Sequence, residues 1–346
     1  MKKNLFVLIF LCFVYVVSAN IFPICYDGKY GYIDENLTVY TQPLYDEATE
    51  FIDGIAVVKE NDLYHIINDK FSILATVDAD SVKLPAEGVI PFEKDEIWFY
   101  TDFWGNIMAN GFTCASSFSN GLAIVGLSET EYCIINNKME NICNIFPANI
   151  DIPIVNNRVF IRSPQNYLIA LAEITANGLK LCTEYTFFEV NEFIEGIAAV
   201  TFDKDGKSFS TWIDINGNII TSKSYLSTKS FINGYACVKE KQYDEITKQK
   251  LSFYEIIDKN FNVISKLPYG INILTHFKNN LCLYIQFEGR TRTYGIISVT
   301  GEYITKNVID KDVKYINGFL EIQINNKNFL INKNGDVIPI TRIFGY

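Results

Sequence analysis

Phe51-Ile52-Asp53-Gly54-Ile55-Ala56-Val57-Val58 decides the fold, because the same phrase returns along the chain. It recurs as Phe118-Ser119-Asn120-Gly121-Leu122-Ala123-Ile124-Val125, Phe193-Ile194-Glu195-Gly196-Ile197-Ala198-Ala199-Val200, Phe231-Ile232-Asn233-Gly234-Tyr235-Ala236-Cys237-Val238 and Tyr315-Ile316-Asn317-Gly318-Phe319-Leu320-Glu321-Ile322. Glycine at the pivot admits a backbone turn that a Cβ opposes. The aromatic residue before it is thereby fixed at the edge of a core, and the residues after it alternate between two faces of a strand. Weaker copies have pivots at Gly88, Arg158 and Asn280; Arg158 and Asn280 at the glycine position imply locally altered turns, and Asn tolerates the left-handed region better than Arg. The eight pivots lie 33 to 46 residues apart, about 38 on average, which is the mark of a tandem array.

A second phrase separates the pivots: aromatic or other apolar residues, then Asp, Asn or Ser, then spacers and often Gly. Copies are Tyr32-Ile33-Asp34, His65-Ile66-Ile67-Asn68, Cys133-Ile134-Ile135-Asn136, Trp212-Ile213-Asp214, Tyr254-Glu255-Ile256-Ile257-Asp258, Tyr294-Gly295-Ile296-Ile297-Ser298 and Phe329-Leu330-Ile331-Asn332. β-Branched strands around a short polar loop of this kind read as β-hairpins. With a weak one near Tyr167 there are nine hairpin starts, the last opening a half-unit that runs from Phe329 to Tyr346. No later stretch of eleven residues has a helical period. The predicted class is all-β: tandem hairpin repeats closing into a propeller-like ring, with an open solenoid-like stack of β-meanders as the alternative. The charged run Lys239 to Lys250 reads as a solvated hairpin tip.

Residues 1–19 stand apart from the array. Lys2 and Lys3 precede an apolar run, Leu5 to Val17, that ends in Val17-Ser18-Ala19. This is the pattern of a cleaved secretory signal peptide, and the run is shorter than the roughly 20 residues a membrane-spanning helix needs. The expectation is therefore an exported chain, 20–346, forming a single array of about eight units in the periplasm, on the cell surface or outside the cell. No later run is long enough to span a membrane. The 346 residues carry 30 Lys+Arg against 40 Asp+Glu, a net charge of −10, the wrong sign for a surface that tracks nucleic-acid phosphates. The cysteines are scattered, without a CxxC pair, and read as small buried hydrophobes. Cys133 and Cys143 are the pair placed to bond across a hairpin.

Residues 30–60 resemble one unit of the WG-repeat family of bacterial repeat proteins: Tyr30-Gly31, Ile33-Asp34, Pro43, Tyr45-Asp46, Phe51, Gly54 and Ala56 fall in the family's order. Elsewhere the Trp-Gly pair is replaced by Tyr-Gly, as at 294, or lost. The resemblance implies a surface or envelope-associated repeat protein and carries over no catalytic residue. Asp203-Lys204-Asp205-Gly206 and Asp214-Ile215-Asn216-Gly217-Asn218 are read as hairpin turns, since neither has the twelfth-position Glu of a helix-flanked calcium loop. His65 and His276, the only two histidines, sit inside apolar strands. There is no nucleophile elbow, phosphate-binding glycine loop or zinc helix motif. No metal or cofactor is expected. Glycine and aromatic residues at 51, 54, 118, 121, 193, 196, 231, 234, 315 and 318 are assigned to architecture because they recur in every unit. The expected function is a non-enzymatic binding or scaffold module for a protein or glycan at the envelope. The alternative is a secreted propeller hydrolase with carboxylates lining a central channel.

Overall fold

The computed structural model describes residues 20–204, 206–244, 248–277, 280–288, 291–305, 314–316, 319–324, 327–332 and 334–345. The expected signal peptide and the pivot Gly318 lie outside the described residues, and Tyr315 is described only as strand backbone. Among the described residues the chain forms eight antiparallel sheets. Seven hold one repeat each, over 22–45, 47–77, 81–112, 114–145, 227–266, 271–305 and 314–339; the fifth holds two, 158–181 and 187–214, joined by the single pair Ile169–Phe187. There are thus nine repeats in eight sheets, and we number the repeats as units 1 to 9.

Each unit after the first opens with a short strand or bridge that pairs with a long second strand, which pairs with a third, which pairs with a fourth except in unit 6, where only the isolated bridges Ser210–Tyr225 and Ile213–Ile219 take its place. The pivot is the two-residue turn between the first two strands. In unit 2, Ile52 and Ile55 exchange both backbone hydrogen bonds, while Asp53 and Gly54 stand at φ 53° and 77°. Two successive positive φ values make the turn whose twist matches a hairpin, hence Asp-Gly or Asn-Gly at four of the eight pivots. Unit 5 shows why its pivot looked degenerate. The turn residues are Asn156 and Asn157, at φ 49° and 58°, so Asn157 and not Arg158 fills the glycine position. The turn is unaltered, since Asn is among the side chains that accept this region.

Alternation along the second strand builds the ring. Ile55 and Val57 pack towards unit 3, whereas Ala56 and Val58 pack towards unit 1. Among the described residues nine such apolar layers occur, each joining one unit to the next. The ninth brings Phe319 and Leu330 of unit 9, and Ile340 and Phe344 of a short C-terminal helix, α1 (Ile340–Phe344), onto Phe22, Ile24 and Ile33 of unit 1. That contact closes the ring: the protein is a β-propeller, not an open stack. The final half-unit supplies the third and fourth strands of unit 9, and the helix covers the seam.

The pivot aromatics sit within these layers. Phe51, Phe118 and Phe231 stand 5.1, 5.3 and 4.9 Å from Tyr32, Tyr100 and Trp212 of the preceding unit. Those partners donate onward: Tyr32 Oη to Thr49 O at 2.8 Å, Tyr100 Oη to Ser116 O at 2.7 Å, and Trp212 Nε1 to Lys229 O at 3.1 Å. A large ring with a polar tip can be buried without stranding its donor, so this one position joins adjacent units by stacking and by a hydrogen bond. Phe193 instead lies flat on Phe160, at 5.3 Å and 6°.

Candidate functional site

The Asp/Asn position of the second phrase is a turn former. Asp34 Oδ1 accepts from the Asn36 and Thr38 amides, Asn68 Oδ1 from Lys70 and Ser72, and Asp214 Oδ1 from Asn216 and Asn218. These side chains replace backbone partners within the loop. Burial pushes the Asp214 carboxyl up, but the hydrogen bonds from Asn218, Asn216 and Gly217 outweigh it and hold the group below its ordinary value. In the other loop of this kind, Asp203 Oδ1 accepts from the Gly206 amide at 2.9 Å, while Asp205 lies outside the described residues. Both act as turns.

Three residues beyond each such position the backbone is left-handed, and the chain meets this in two ways. Gly105 and Gly335 lie so close to the preceding unit that a Cβ would stand 2.9 Å from Ala75 Cβ and 2.8 Å from Ile304 Cγ2. Phe71 and Phe261 accept positive φ, at 60° and 62°, and drive their rings into the preceding layer against Tyr32 and Trp212.

One unit departs from the rest in a way that opens a site. In unit 1 the fourth strand crosses Gly31 so tightly that a Cβ there would lie 2.7 Å from Thr41 O. The corresponding residue of unit 6 is Thr211, buried at 1% exposure. Its side chain occupies that space. Residues 221–224 stand off the third strand, which they rejoin at the bridge between Ser210 and Tyr225, and Thr211 Oγ1 donates to Lys223 O at 3.3 Å. Beneath them is a cleft of about 480 Å³. One wall is the cross-strand pair Phe202 and Phe209, with ring centroids 6.3 Å apart; Ile219, 59% exposed, faces it. Thr221, Ser222 and Ser224 add hydroxyls, and among the described residues Lys207 and Lys223 add the only charges on the lining. No carboxylate lines it among the described residues, although the whole chain carries −10. Rings, hydroxyls and ammonium groups suit a polar ligand with an apolar face and acidic substituents.

None of the ten sequence-assigned architectural residues lines this cleft. Glu195 and Glu87, beside pivot glycines, accept at 2.7 Å from the amides of Asn233 and Gly121 in the next pivot turns, so they tie neighbouring turns together. His65 Nδ1 pairs with Thr76 Oγ1 at 2.9 Å, and His276 Nδ1 accepts from the Ser230 amide at 3.0 Å. The sequence held no distinct signal for the cleft: the glycine of Tyr30-Gly31 is also replaced by His65, Phe99, Cys133 and Glu255, in units whose third and fourth strands pair.

Comparison with known proteins places these features. No curated protein is significantly similar to the chain. Among solved structures, similarity extends to BamB from Moraxella catarrhalis (10% identity, TM-score 0.46, covering 75% of this chain and 86% of that one). The WD40 domain of SCAP from fission yeast is also similar (9%, 0.42, 84% and 90%), as is Hsv2 from Kluyveromyces lactis (11%, 0.40, 68% and 94%). These are loose likenesses, and ring closure rests on the chain's own seam. Residues 30–64 and 211–243, one holding the tight Gly31 crossing and the other Thr211, both match the WG containing repeat, so these two segments of the propeller are similar to that repeat.

Proposed function

We propose that the protein is an exported, non-enzymatic scaffold at the cell envelope or outside the cell, and that the unit 6 cleft holds a glycan bearing acidic groups. The carrying observation is the cleft lining: two cross-strand phenylalanines and several hydroxyls beside two lysines, with no carboxylate among the described residues, on an acidic protein. A sugar ring offers a C–H face to the phenylalanines and hydroxyls to Thr221 and Ser222. Its acidic substituents pair with Lys207 and Lys223. The pivot glycines and aromatics, being committed to turns and layers, leave recognition to features peculiar to single units.

The test is calorimetric titration with oligogalacturonate, with its methyl ester as the neutral control. Binding of the acid form, weakened about tenfold by Lys207→Gln or Lys223→Gln and by added salt, supports the reading. Equal binding of acid and ester, or no binding of either, overturns the glycan assignment. Release of reducing ends in the same mixtures would replace the scaffold with the hydrolase alternative. Export is checked separately, by whether the protein recovered from the producing cell begins after Ala19.

A further inference from the structure

The described residues include seven cysteines, and strand parity sorts them. Cys133 and Cys143, the pair suggested by the sequence, are unsuitable. Cys143 is the cross-strand partner of Ile134, so it shares the face of Ile134, while Cys133 points to the other side. Accordingly Cys133 belongs to the layer between units 3 and 4, and Cys143 packs in the layer between units 4 and 5. The sheet lies between their thiols.

Cys237 and Cys282 have the opposite relation. Cys237 follows its pivot by three residues, as Val57 does, and points forward to the next unit. Cys282 follows its pivot by two, as Ala56 does, and points back. Both fall in the single layer between units 7 and 8, at 1% and 0% exposure. At the corresponding junction of units 6 and 7 the facing residues are Ala199 and Ala236, packed in one layer. Two thiols thus meet, 45 residues apart in sequence, where another layer of the ring is filled by methyl groups.

We propose that Cys237 and Cys282 form a disulfide linking units 7 and 8 when the chain folds in oxidising surroundings. One thiolate attacks the disulfide of an external oxidant, such as glutathione disulfide or the active-site disulfide of an oxidoreductase. The mixed disulfide forms with loss of one thiol. The second cysteine thiolate then attacks the protein sulfur of that bond and releases the second thiol. Two protein thiols lose two electrons and two protons, and the oxidant disulfide becomes two thiols. Neither sulfur is open to solvent in the closed ring, so the exchange takes place before unit 8 packs on unit 7. The bond needs two sulfurs that share one buried layer to close to about 2.05 Å. It rests on the export reading only for where in the cell it operates.

The experiment is refolding of the mature chain from denaturant in a glutathione/glutathione disulfide buffer, then alkylation under denaturing conditions and peptide mapping. A linked peptide pair carrying Cys237 and Cys282, with those two thiols alone escaping alkylation, supports the proposal. Full alkylation, or a link between any other pair, overturns it. Cys237→Ala and Cys282→Ala place at these sites the residue found at 199 and 236, and each should abolish the link. Reduced protein folded before the oxidant is added should stay unlinked; rapid linking of the folded form would overturn the assigned order of events. Mapping the same peptides in protein taken from the producing cell addresses export alone, since a refolded chain that links and a cellular one that does not would separate the two readings.

Discussion

At the scale of single residues, glycine at position 31 admits a close crossing of the fourth strand in unit 1, while His65, Phe99 and Cys133 at the same repeat position still carry a paired fourth strand and Thr211 in unit 6 does not. Gly31→Ala sets a Cβ against Thr41 O and is expected to destabilise by about 1–3 kcal/mol through overpacking, measured by denaturant unfolding. Thr211→Gly should let residues 221–224 settle onto the third strand and abolish oligogalacturonate binding without loss of fold. The second decisive residue is Glu321. Where the corresponding forward-pointing positions in units 2, 4 and 6 hold Val57, Ile124 and Ala199, unit 9 turns a carboxyl into the seam at 7% exposure. Burial raises its pKa, and nearby Lys314 only partly offsets this. With the folded value above the unfolded one, the favourable contribution is full below the ordinary carboxylate pKa and is lost as pH rises through the raised value. Glu321→Gln should therefore gain stability over the parent from mildly acidic to neutral pH, with the two converging in acid; thermal unfolding across that range checks it. The Gly and Phe of the pivots were legible because they repeat. Thr211 and Glu321 were not, because each is a departure whose meaning depends on what the neighbouring unit places against it.

At the scale of elements, local chemistry and tertiary contact agree at most turns. Asp-Gly and Asn-Gly pivots and the Asp/Asn loop starts follow from backbone geometry, and the sequence showed them without help. Asn68→Ala should remove the acceptor for the Lys70 and Ser72 amides, each at 3.0 Å, and lower stability by about 1 kcal/mol; exchange protection of those two amides should fall first. The misplaced pivot at Arg158 has a simple origin. Two asparagines fill the turn, so a search for glycine or its replacement lands one residue late. The left-handed Phe71 and Phe261 were equally hidden, since aromatic residues rarely take positive φ unless packing offsets the strain. Their rings fill the layer that glycine elsewhere lets the backbone approach.

At the scale of the whole molecule, the sequence indicated an array of about eight units and nine hairpin starts, and both numbers have a physical counterpart. Pairing between Ile169 and Phe187 merges two repeats into one sheet, while the apolar layers still number nine among the described residues. Closure was not legible, because it depends on contacts between the two ends of the array. Those contacts are of the kinds found in the internal layers: Phe22 meets Phe319 at a tilt with centroids 5.6 Å apart, Asn328 Nδ2 donates to Cys25 O at 3.4 Å and Lys314 Nζ to Tyr30 Oη at 3.4 Å. A cleft of about 530 Å³ also opens there, lined by Tyr26, Gln323 and Asn328 among others. Phe344→Ala strips the helix of its anchor in this layer and should cost about 3–5 kcal/mol. Hydrogen exchange should then rise in 22–26 and 319–324 ahead of the other sheets.

The seam has a further consequence for how such a chain can be written. Phe22 and Phe344 share one apolar layer, so the two ends of the array are neighbours in space. The point in the ring at which the array of units starts is then almost arbitrary. A circular permutant joining the present ends through a short glycine linker, and opening instead at another pivot turn, keeps all nine layers. It changes only which of them is bridged by backbone.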